Sequence, residues 1–360
     1  MTGSNKREIS GIGGGLWIAN GELPIIFFAV KVHSASFVVA VLFAALTLIS
    51  NLQAQPLLTI DTVTVGDAGN AADTTGYGAV AYDFNIGKYE VTIGQYTSFL
   101  NAVAATDTYS LYNASMATDL NIAGITRAGS SGSFSYSVIG SGSRPISYVS
   151  WFDAARFANW MNNGATVGAS TETGAYTLNG ATSGVNFTKN AGATWWMPSE
   201  DEWYKAAYYK GGGTNAGYWV YPTQSDSAPG NTIGGAANQA NYYDGDYAVT
   251  QSSYSSSQNY LTDAGAFSNS ASAYDTFDQG GNVWEWNDAV IFSWRGLRGG
   301  SWGDLGSNLQ SSGRALGYDP TFEGDFVGFR VASVPEPSTA VLVLMGVGAL
   351  YLWKRRRATL

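Results

Sequence analysis

The chain contains no cysteine and a single histidine, His33. That histidine lies in an apolar leader that we expect to be removed, so the folded protein would lack thiols and imidazoles. Disulfides, structural zinc sites, Ser-His-Asp or Cys-His nucleophiles and histidine-bound iron centres are thereby excluded. Stability must come from a buried core, for which the 12 tryptophans supply aromatic area, or from a metal with oxygen ligands.

Residues 1–54 are interpreted as a leader that contains a signal peptide. Lys31 precedes an apolar run from Phe37 to Ile49, and a plausible cleavage point follows near Ala54. The apolar run is short for a membrane-spanning helix. Residues 1–30 precede this pattern, which a wrongly assigned start codon would explain. The alternative is that the run forms an internal core helix.

The C-terminal segment 334–360 combines a Pro-Glu-Pro motif, an apolar stretch from Ala340 to Trp353 and a basic cluster, in that order. The apolar stretch is marginally long enough to cross a bilayer, and the basic cluster would hold its end on the cytoplasmic side. The segment closely resembles the PEP-CTERM sorting signal of Gram-negative bacteria. The matching residues are Pro335, Glu336, Pro337, Arg355, Arg356 and Arg357.

This resemblance implies a partner and a location. The partner is an exosortase, which would recognise and cleave the tail. The chain would contact the inner membrane through its C-terminal segment until that processing, and would then reside at the cell surface or in the extracellular matrix. A plain C-terminal membrane anchor is the alternative.

Residues 55–335 carry 11 lysines and arginines against 24 aspartates and glutamates, a net charge of −13. No basic surface is left to neutralise a phosphate backbone, so a nucleic-acid partner is excluded.

Three helices are predicted from their N-terminal caps. Thr92 and Gln95 have the spacing of a capping box and precede an apolar stripe with helical period. Ser150 is a natural N-cap, and Ser199 with Glu202 forms a second capping box. Strands are predicted over 59–65 and 79–91. Loops with short strands are expected over 105–143, and long ordered loops with few regular elements over 211–330.

Several segments, in order, resemble the formylglycine-generating-enzyme family, also called sulfatase-modifying factor. They are 87–92 (GKYEVT), 144–145 (RP), 149–154 (VSWFDA), 196–203 (WMPSEDEW), 281–286 (GNVWEW), 298–302 (RGGSW) and 328–330 (GFR). The resemblance covers nearly all of residues 55–333, which we take as one domain. It implies an α+β, C-type-lectin-like fold with few helices, short strands and long ordered loops.

Catalytic members of this family oxidise a substrate cysteine with two copper-binding cysteines that follow the Gly-Gly-Ser segment. Asp304 stands near the first of these positions, and an aspartate cannot supply the soft thiolate that Cu(I) favours. The related sulfoxide synthases of the ergothioneine pathway need a histidine triad for iron. We therefore expect no copper, iron or zinc, and interpret the chain as a pseudoenzyme.

Calcium is the cofactor that the resemblance implies. One site would use the side chains of Asp278 and Glu285 with the carbonyls of Gly281 and Val283, which are the hard oxygen donors that Ca²⁺ prefers. Alternatively, the two carboxylates cap turns or pair with arginines. A second site would use Asn241, the carbonyl of Tyr242 and Asp263. For the nearby Asp244-Gly245-Asp246 we favour an ordinary turn.

A ligand cleft is predicted around the variable loop 304–325. Its candidate residues are Trp302, Asp304, Asn308, Arg314, Glu323 and Arg330. The arginines could clamp an anion, but we favour a structural role in which they join loops through carboxylates and carbonyls. Trp203, Trp284, Trp286 and Trp302 are predicted to be core; Trp219, Trp294, Tyr218 and Tyr221 are candidates for exposure.

Together these patterns predict a non-catalytic, calcium-stabilised binding module for a glycan or a surface protein. The alternative is an enzyme of divergent chemistry, an oxidoreductase or a hydrolase that uses carboxylates such as Asp304 and Glu323 as acid and base. A purely structural role in the matrix is a third hypothesis.

Overall fold

The computed structural model describes residues 57–315 and 317–335, so the predicted leader and most of the predicted sorting tail lie outside the described residues. Within the described ranges, no helix is long and apolar enough to span a bilayer. The elements are β1 (Thr62–Val65), β2 (Phe84–Gly87), α1 (Ile93–Val103), α2 (Ser115–Thr118), β3 (Ile125–Ala128), β4 (Ser135–Val138), α3 (Trp151–Asn162), β5 (Trp195–Trp196), α4 (Glu200–Tyr208), β6 (Trp284–Ile291), β7 (Trp294–Arg298), β8 (Val327–Phe329) and β9 (Ala332–Ser333).

A four-stranded antiparallel sheet joins the beginning and the end of the domain. Its strand order is β1-β2-β9-β5. Ala332 of β9 pairs with Ile86 of β2 on one side and with Trp196 of β5 on the other. The last strand of the domain therefore lies inside the sheet, between strands formed much earlier in the chain.

A three-stranded sheet has the strand order β7-β6-β8 and holds both ends of the loop between β7 and β8. β6 and β7 form an antiparallel hairpin whose register shifts between Trp286 and Val290. β8 runs parallel to β6, with Trp284 opposite Val327. A short 3-10 helix, Gly306–Leu309, lies in the loop between β7 and β8.

The three predicted caps are all present. Thr92 accepts from the main-chain N–H of Gln95 at 3.2 Å, and the Gln95 side chain accepts from the Thr92 N–H at 2.9 Å. Ser150 and Ser199 form the same reciprocal arrangement with the residue three positions later. These boxes satisfy N–H groups that a helix leaves unpaired at its first turn, which explains why the helices begin where the sequence predicts.

The main core lies between α1 and α3 and is largely aromatic. Phe99 of α1 packs edge-on against Phe157 of α3 at 5.3 Å, and Phe157 packs in the same way against Phe329 of β8 at 5.3 Å. Tyr96 and Trp160 are fully buried in the same cluster. The apolar stripe predicted for α1 is thus the face that contacts α3 and β8.

The strands are shorter than predicted. The expected strand over 79–91 is regular only from Phe84 to Gly87, and the expected strand over 59–65 begins at Thr62. The reason lies beyond Gly87, where the main chain leaves β9 to bond other segments: Lys88 N–H donates to Asp61 and Val91 N–H donates to Phe329. The stretch from Gly211 to Val283 contains isolated bridges rather than strands, as the glycine-rich sequence predicts.

We expect Ser199→Ala to lower the free energy of unfolding by about 1 kcal/mol, because it removes the side-chain half of the cap of α4. Urea titration of the two proteins measures the difference. Ser253→Ala, at an exposed position in a loop, is the matched control and should change stability little. Equal stabilities for Ser199→Ala and Ser253→Ala would show that the capping box does not stabilise the helix.

Candidate functional site

A cavity of about 280 Å³ opens beside the loop that follows Gly300. Trp284 of β6, Trp302 and Asp304 form one part of its wall. Tyr318 and Asp325, from the loop before β8, form another part. The cavity therefore lies between the beginning and the end of the variable loop 304–325.

Asp304 is held firmly in this wall. Its Oδ2 accepts from Trp284 Nε1 at 2.7 Å and from the Ser301 N–H at 3.0 Å, and its Oδ1 accepts from Asn308 Nδ2 at 2.9 Å. A carboxylate whose two oxygens both accept from the protein is fixed in place and braces the loop. At the position expected for a copper-binding thiolate, the chain thus has a hydrogen-bonded structural carboxylate.

The cavity wall is aromatic and extends to exposed rings. Trp302 stacks on Tyr260, with ring centroids 5.0 Å apart and planes within 8°. Tyr318 is 36% exposed and contacts β7 through a bridge to Arg295. Trp294, predicted to be exposed, is 41% exposed, whereas Tyr221, also predicted to be exposed, is buried. The Tyr221 ring packs in an apolar cluster with Ala240, Tyr242 and Leu309, which the sequence around Tyr221 does not predict.

The four tryptophans predicted to be core are buried, with Trp203 and Trp286 fully enclosed. Trp284 and Trp302 each retain 7% exposure, which is the edge that they present to the cavity.

Arg330 and Glu285 form a fully buried ion pair. Arg330 Nε donates to Glu285 Oε2 and its Nη2 donates to Oε1, both at 2.6 Å. The remaining guanidinium N–H groups reach the carbonyls of Gly87 and Phe277, each at 2.9 Å. Trp203 Nε1 also donates to Glu285 at 2.8 Å. Arg330 therefore connects four chain segments and does not line the cavity.

The other arginines near the loop also join segments. Arg298 and Arg314 both bond Glu200 at the start of α4, with Arg298 Nε at 2.8 Å and Arg314 Nε at 2.6 Å from Oε1. Arg298 additionally donates to the carbonyls of Ser311 and Gly313. These pairs have the structural geometry that we favoured for the arginines over a ligand clamp.

The first predicted calcium site does not fit a cation in this arrangement. Both oxygens of Glu285 face the guanidinium of Arg330, and a cation there would be repelled by it. Asp278 accepts from the N–H of Gly265 at 2.6 Å and has no ion-pair partner among the described residues. Across residues 57–315 and 317–335, no three His, Cys, Asp or Glu side chains form a group that could hold a metal ion.

The three residues of the second predicted calcium site differ in burial and in hydrogen bonding. Asn241 is buried, and its amide donates to the Tyr260 carbonyl at 2.9 Å and to the Asn282 side chain at 3.0 Å. The Tyr242 carbonyl accepts from Asn231 at 3.4 Å, and Asp263 is exposed. The main chain of Asn241 bridges to Gly281, so this turn packs directly against the first predicted site.

Glu90 is a buried carboxylate that sequence reasoning missed. It is 1% exposed, and neither of its oxygens has a hydrogen-bond partner. Burial raises its pKa well above the ordinary value, and the nearby charge of Asp278 raises the pKa further while Arg330 opposes this. The signal was present in the family segment 87–92, where an acidic residue stands between the buried core positions of β2 and α1.

A second cavity, of about 270 Å³, contains Glu323 and is lined by Asp153, Arg156 and Tyr109. Asn113 donates to Glu323 Oε2, and Ser150 N–H donates to Asp153 Oδ2 at 2.8 Å. Burial, reinforced by the negative charge of Glu323, raises the pKa of Asp153 to about 7. Glu323 thus disfavours the charged form of Asp153, and it lies in a different cavity from Asp304.

The six residues predicted for one cleft are consequently divided. Trp302 and Asp304 line the first cavity, and Asn308 supports Asp304. Glu323 lines the second cavity, while Arg314 and Arg330 are bound to buried carboxylates.

A family model described as the sulfatase-modifying factor enzyme 1-like domain matches residues 62–334. The chain belongs to this family. A second model, the PEP-CTERM protein-sorting motif, matches residues 333–357. Both resemblances predicted from the sequence are thereby confirmed, and the sorting motif implies recognition by an exosortase and export through a Gram-negative cell envelope.

Comparison with solved structures finds similar chains at low sequence identity. The crystal structure of CarF is 21% identical over 78% of this chain and 100% of its own, with a TM-score of 0.47. PvdO from Pseudomonas aeruginosa is 18% identical over 77% of this chain and 93% of its own, with a TM-score of 0.40. Treponema denticola variable protein 1 is 16% identical over 77% and 96%, with a TM-score of 0.39. No curated protein matches the chain. The family match over residues 62–334, together with the few helices and short strands of the domain, confirms the predicted α+β, C-type-lectin-like fold.

We expect Arg330→Met to lower the free energy of unfolding by about 3–5 kcal/mol, because it leaves Glu285 buried without its partner. Thermal and urea unfolding measure the loss. The double variant Arg330→Met with Glu285→Gln should recover part of it, since no charge then remains unpaired. A double variant no more stable than Arg330→Met would contradict a charge-based explanation.

The stability of the domain should fall as the pH rises from about 4 to 7. The folded state holds a proton on Asp153 up to about pH 7, whereas the unfolded chain releases it near the ordinary pKa of 3.8. The sign follows because the folded state binds more protons in this window, and one such group contributes at most about 4 kcal/mol.

Asp153→Asn should flatten this slope, measured by urea unfolding at several pH values. Asp246→Asn, at an exposed site, is the control and should leave the slope unchanged. If the two variants have the same slope, Asp153 is not the titrating group.

Proposed function

We propose that the exported chain is a non-catalytic glycan-binding module of the cell surface or extracellular matrix. The observation that carries the proposal is the first cavity, in which buried tryptophan edges, an immobile carboxylate and the exposed ring of Tyr318 converge. Carbohydrates bind where an aromatic face lies beside fixed polar groups, since the ring covers the apolar face of a sugar and the polar groups bond its hydroxyls.

The absence of catalysis in this proposal follows from the chemistry of the chain. From residue 34 onwards the sequence has no cysteine and no histidine, so neither copper thiolates nor an imidazole base is available. Asp304 is already bonded on both oxygens, which suits a structural side chain better than a general base.

In this proposal the chain has three parts. Residues 1–54 are removed as a leader, 55–333 form the binding domain, and 334–360 form a tail that contacts the inner membrane before exosortase processing. The domain then resides at the surface or in the matrix, where a glycan ligand would be encountered. The proposal includes a bound calcium ion that stabilises the domain.

A second candidate function, carboxylate-based hydrolysis, is favoured by one observation. Asp153 and Glu323 share the second cavity, and a carboxyl whose pKa is about 7 is suited to act as a general acid near neutral pH. Asp304 has no part in this pair.

The test is a glycan array probed with the labelled full chain, followed by titration of any glycan found. Tyr318→Ala should weaken binding by about tenfold, the loss of one aromatic contact, whereas Tyr318→Phe should retain it. Binding that survives Tyr318→Ala unchanged, or no binding to any glycan, overturns the proposal. Hydrolysis of array glycans that Glu323→Gln abolishes would support the second candidate instead.

A further inference from the structure

The first cavity presents negative charge to a ligand and no positive charge. Asp304 and Asp325 are both part of its wall, and no lysine or arginine of the described residues is. The rest of the wall consists of aromatic rings and small residues. Two carboxylates in one cavity repel an anion and attract a cation, so the charge of the wall restricts what the cavity can bind.

The arginines of the neighbouring segments do not neutralise this charge. Arg314 donates to both oxygens of Glu200, at 2.6 Å and 2.5 Å. Arg295 donates to Asp288 Oδ1 at 2.7 Å. Within the part of the chain that the structure describes, neither carboxylate of the cavity forms an ion pair.

Asp325 is the carboxylate that is free to contact a ligand. Both oxygens of Asp304 already accept hydrogen bonds from the protein, whereas no other described residue donates to Asp325. The Asp325 side chain is half-buried, and burial together with the negative charge of Asp119 raises its pKa above the ordinary value. A bound cation would oppose this effect, because it favours the ionised carboxylate.

A third carboxylate lies behind Asp325. The hydroxyl of Tyr148 donates to Asp119 Oδ2 at 2.8 Å, and the main-chain N–H of the same tyrosine donates to the Gly324 carbonyl at 2.9 Å. Tyr148 thus connects Asp119 to the residue that precedes Asp325. Among the described residues Asp119 has no ion-pair partner either, so it adds to the negative potential on this side of the cavity.

Four aromatic side chains surround these carboxylates. Trp284, Trp302, Tyr318 and Phe326 all belong to the cavity wall. The Trp284 N–H donates to the Phe326 carbonyl at 2.8 Å, and the rings of Tyr318 and Phe326 meet edge-on at 6.2 Å. The face of an aromatic ring attracts a cation and also covers the apolar face of a sugar.

We propose that the first cavity binds a sugar that has a free amino group, with its ammonium at Asp325 and its ring against the aromatic wall. This inference rests on the proposed function and names the class of glycan. A sugar with a carboxylate or a sulfate would be repelled by Asp304 and Asp325. The volume of about 280 Å³ is near the lower end of the roughly 300–1,000 Å³ of small-molecule sites, which suits the end of a glycan.

The experiment titrates the full chain at pH 6 with two matched ligands by calorimetry. One is a tetrasaccharide of β-1,4-linked glucosamine, and the other is the same tetrasaccharide with every amino group acetylated. The two share their rings and linkages and differ in charge. The free amine should bind at least about tenfold more tightly, because it gains the carboxylate and the ring faces.

Asp325→Asn keeps the shape of the side chain and removes its charge. The variant should bind the free amine about tenfold more weakly and the acetylated ligand as the wild type does. Asp246→Asn, at an exposed site, changes the net charge equally and should leave both affinities unchanged. Raising sodium chloride from 0.05 M to 0.5 M should weaken only the free-amine complex of the wild type, a readout that needs no variant.

The outcomes separate this inference from the function on which it rests. Equal affinities for the two tetrasaccharides overturn the amino-sugar assignment and leave a glycan-binding module. A preference for the amine that survives Asp325→Asn overturns it too, because the charge then acts elsewhere. If neither tetrasaccharide binds, the assignment fails, and the glycan array decides whether the module binds other glycans. Tetralysine that binds as tightly as the amine, and equally through Asp325, would identify a basic peptide as the ligand and overturn the sugar.

Discussion

The buried pair between Arg330 and Glu285 is the interaction on which the arrangement of the two sheets depends. Glu285 belongs to the central strand of the three-stranded sheet, and Arg330 lies between β8 of that sheet and β9 of the other. Through its carbonyl contacts, the same guanidinium fixes the end of β2 and the approach to β6. A planar, permanently charged group with five donors can satisfy so many acceptors at once, and a lysine could not. The rest of the loop-rich structure is assembled around this hub.

The loop that follows Gly300 shows how the family scaffold persists without sulfur chemistry. Asp304 accepts hydrogen bonds from Trp284, Ser301 and Asn308, and these contacts close the loop onto β6. These contacts make the loop a rigid part of the cavity wall. Trp302, which stacks on Tyr260, forms part of the same wall.

Patterns within short segments of the sequence predicted the helices, but they did not predict most of the ion pairs between side chains. The three helices follow from capping residues within three positions of each other, which is information that a short segment contains. The pairs of Arg314 with Glu200 and of Arg330 with Glu285 join residues 114 and 45 positions apart, so no local pattern specifies the partner. The same limit applies to Glu90, whose isolation is visible only when every surrounding segment is in place. Tyr221 was predicted to be exposed for the same reason, since its packing partners lie on other loops.

The position of β9 between β2 and β5 has a consequence for the order of assembly. The strand that completes the four-stranded sheet, and the arginine beside it, are encoded in the last residues before the sorting tail. A chain that is synthesised from its N-terminus cannot complete this sheet until almost the whole domain has been made, since these contacts span most of the sequence. Completion of the four-stranded sheet is therefore a late step, which depends on the C-terminal residues of the domain.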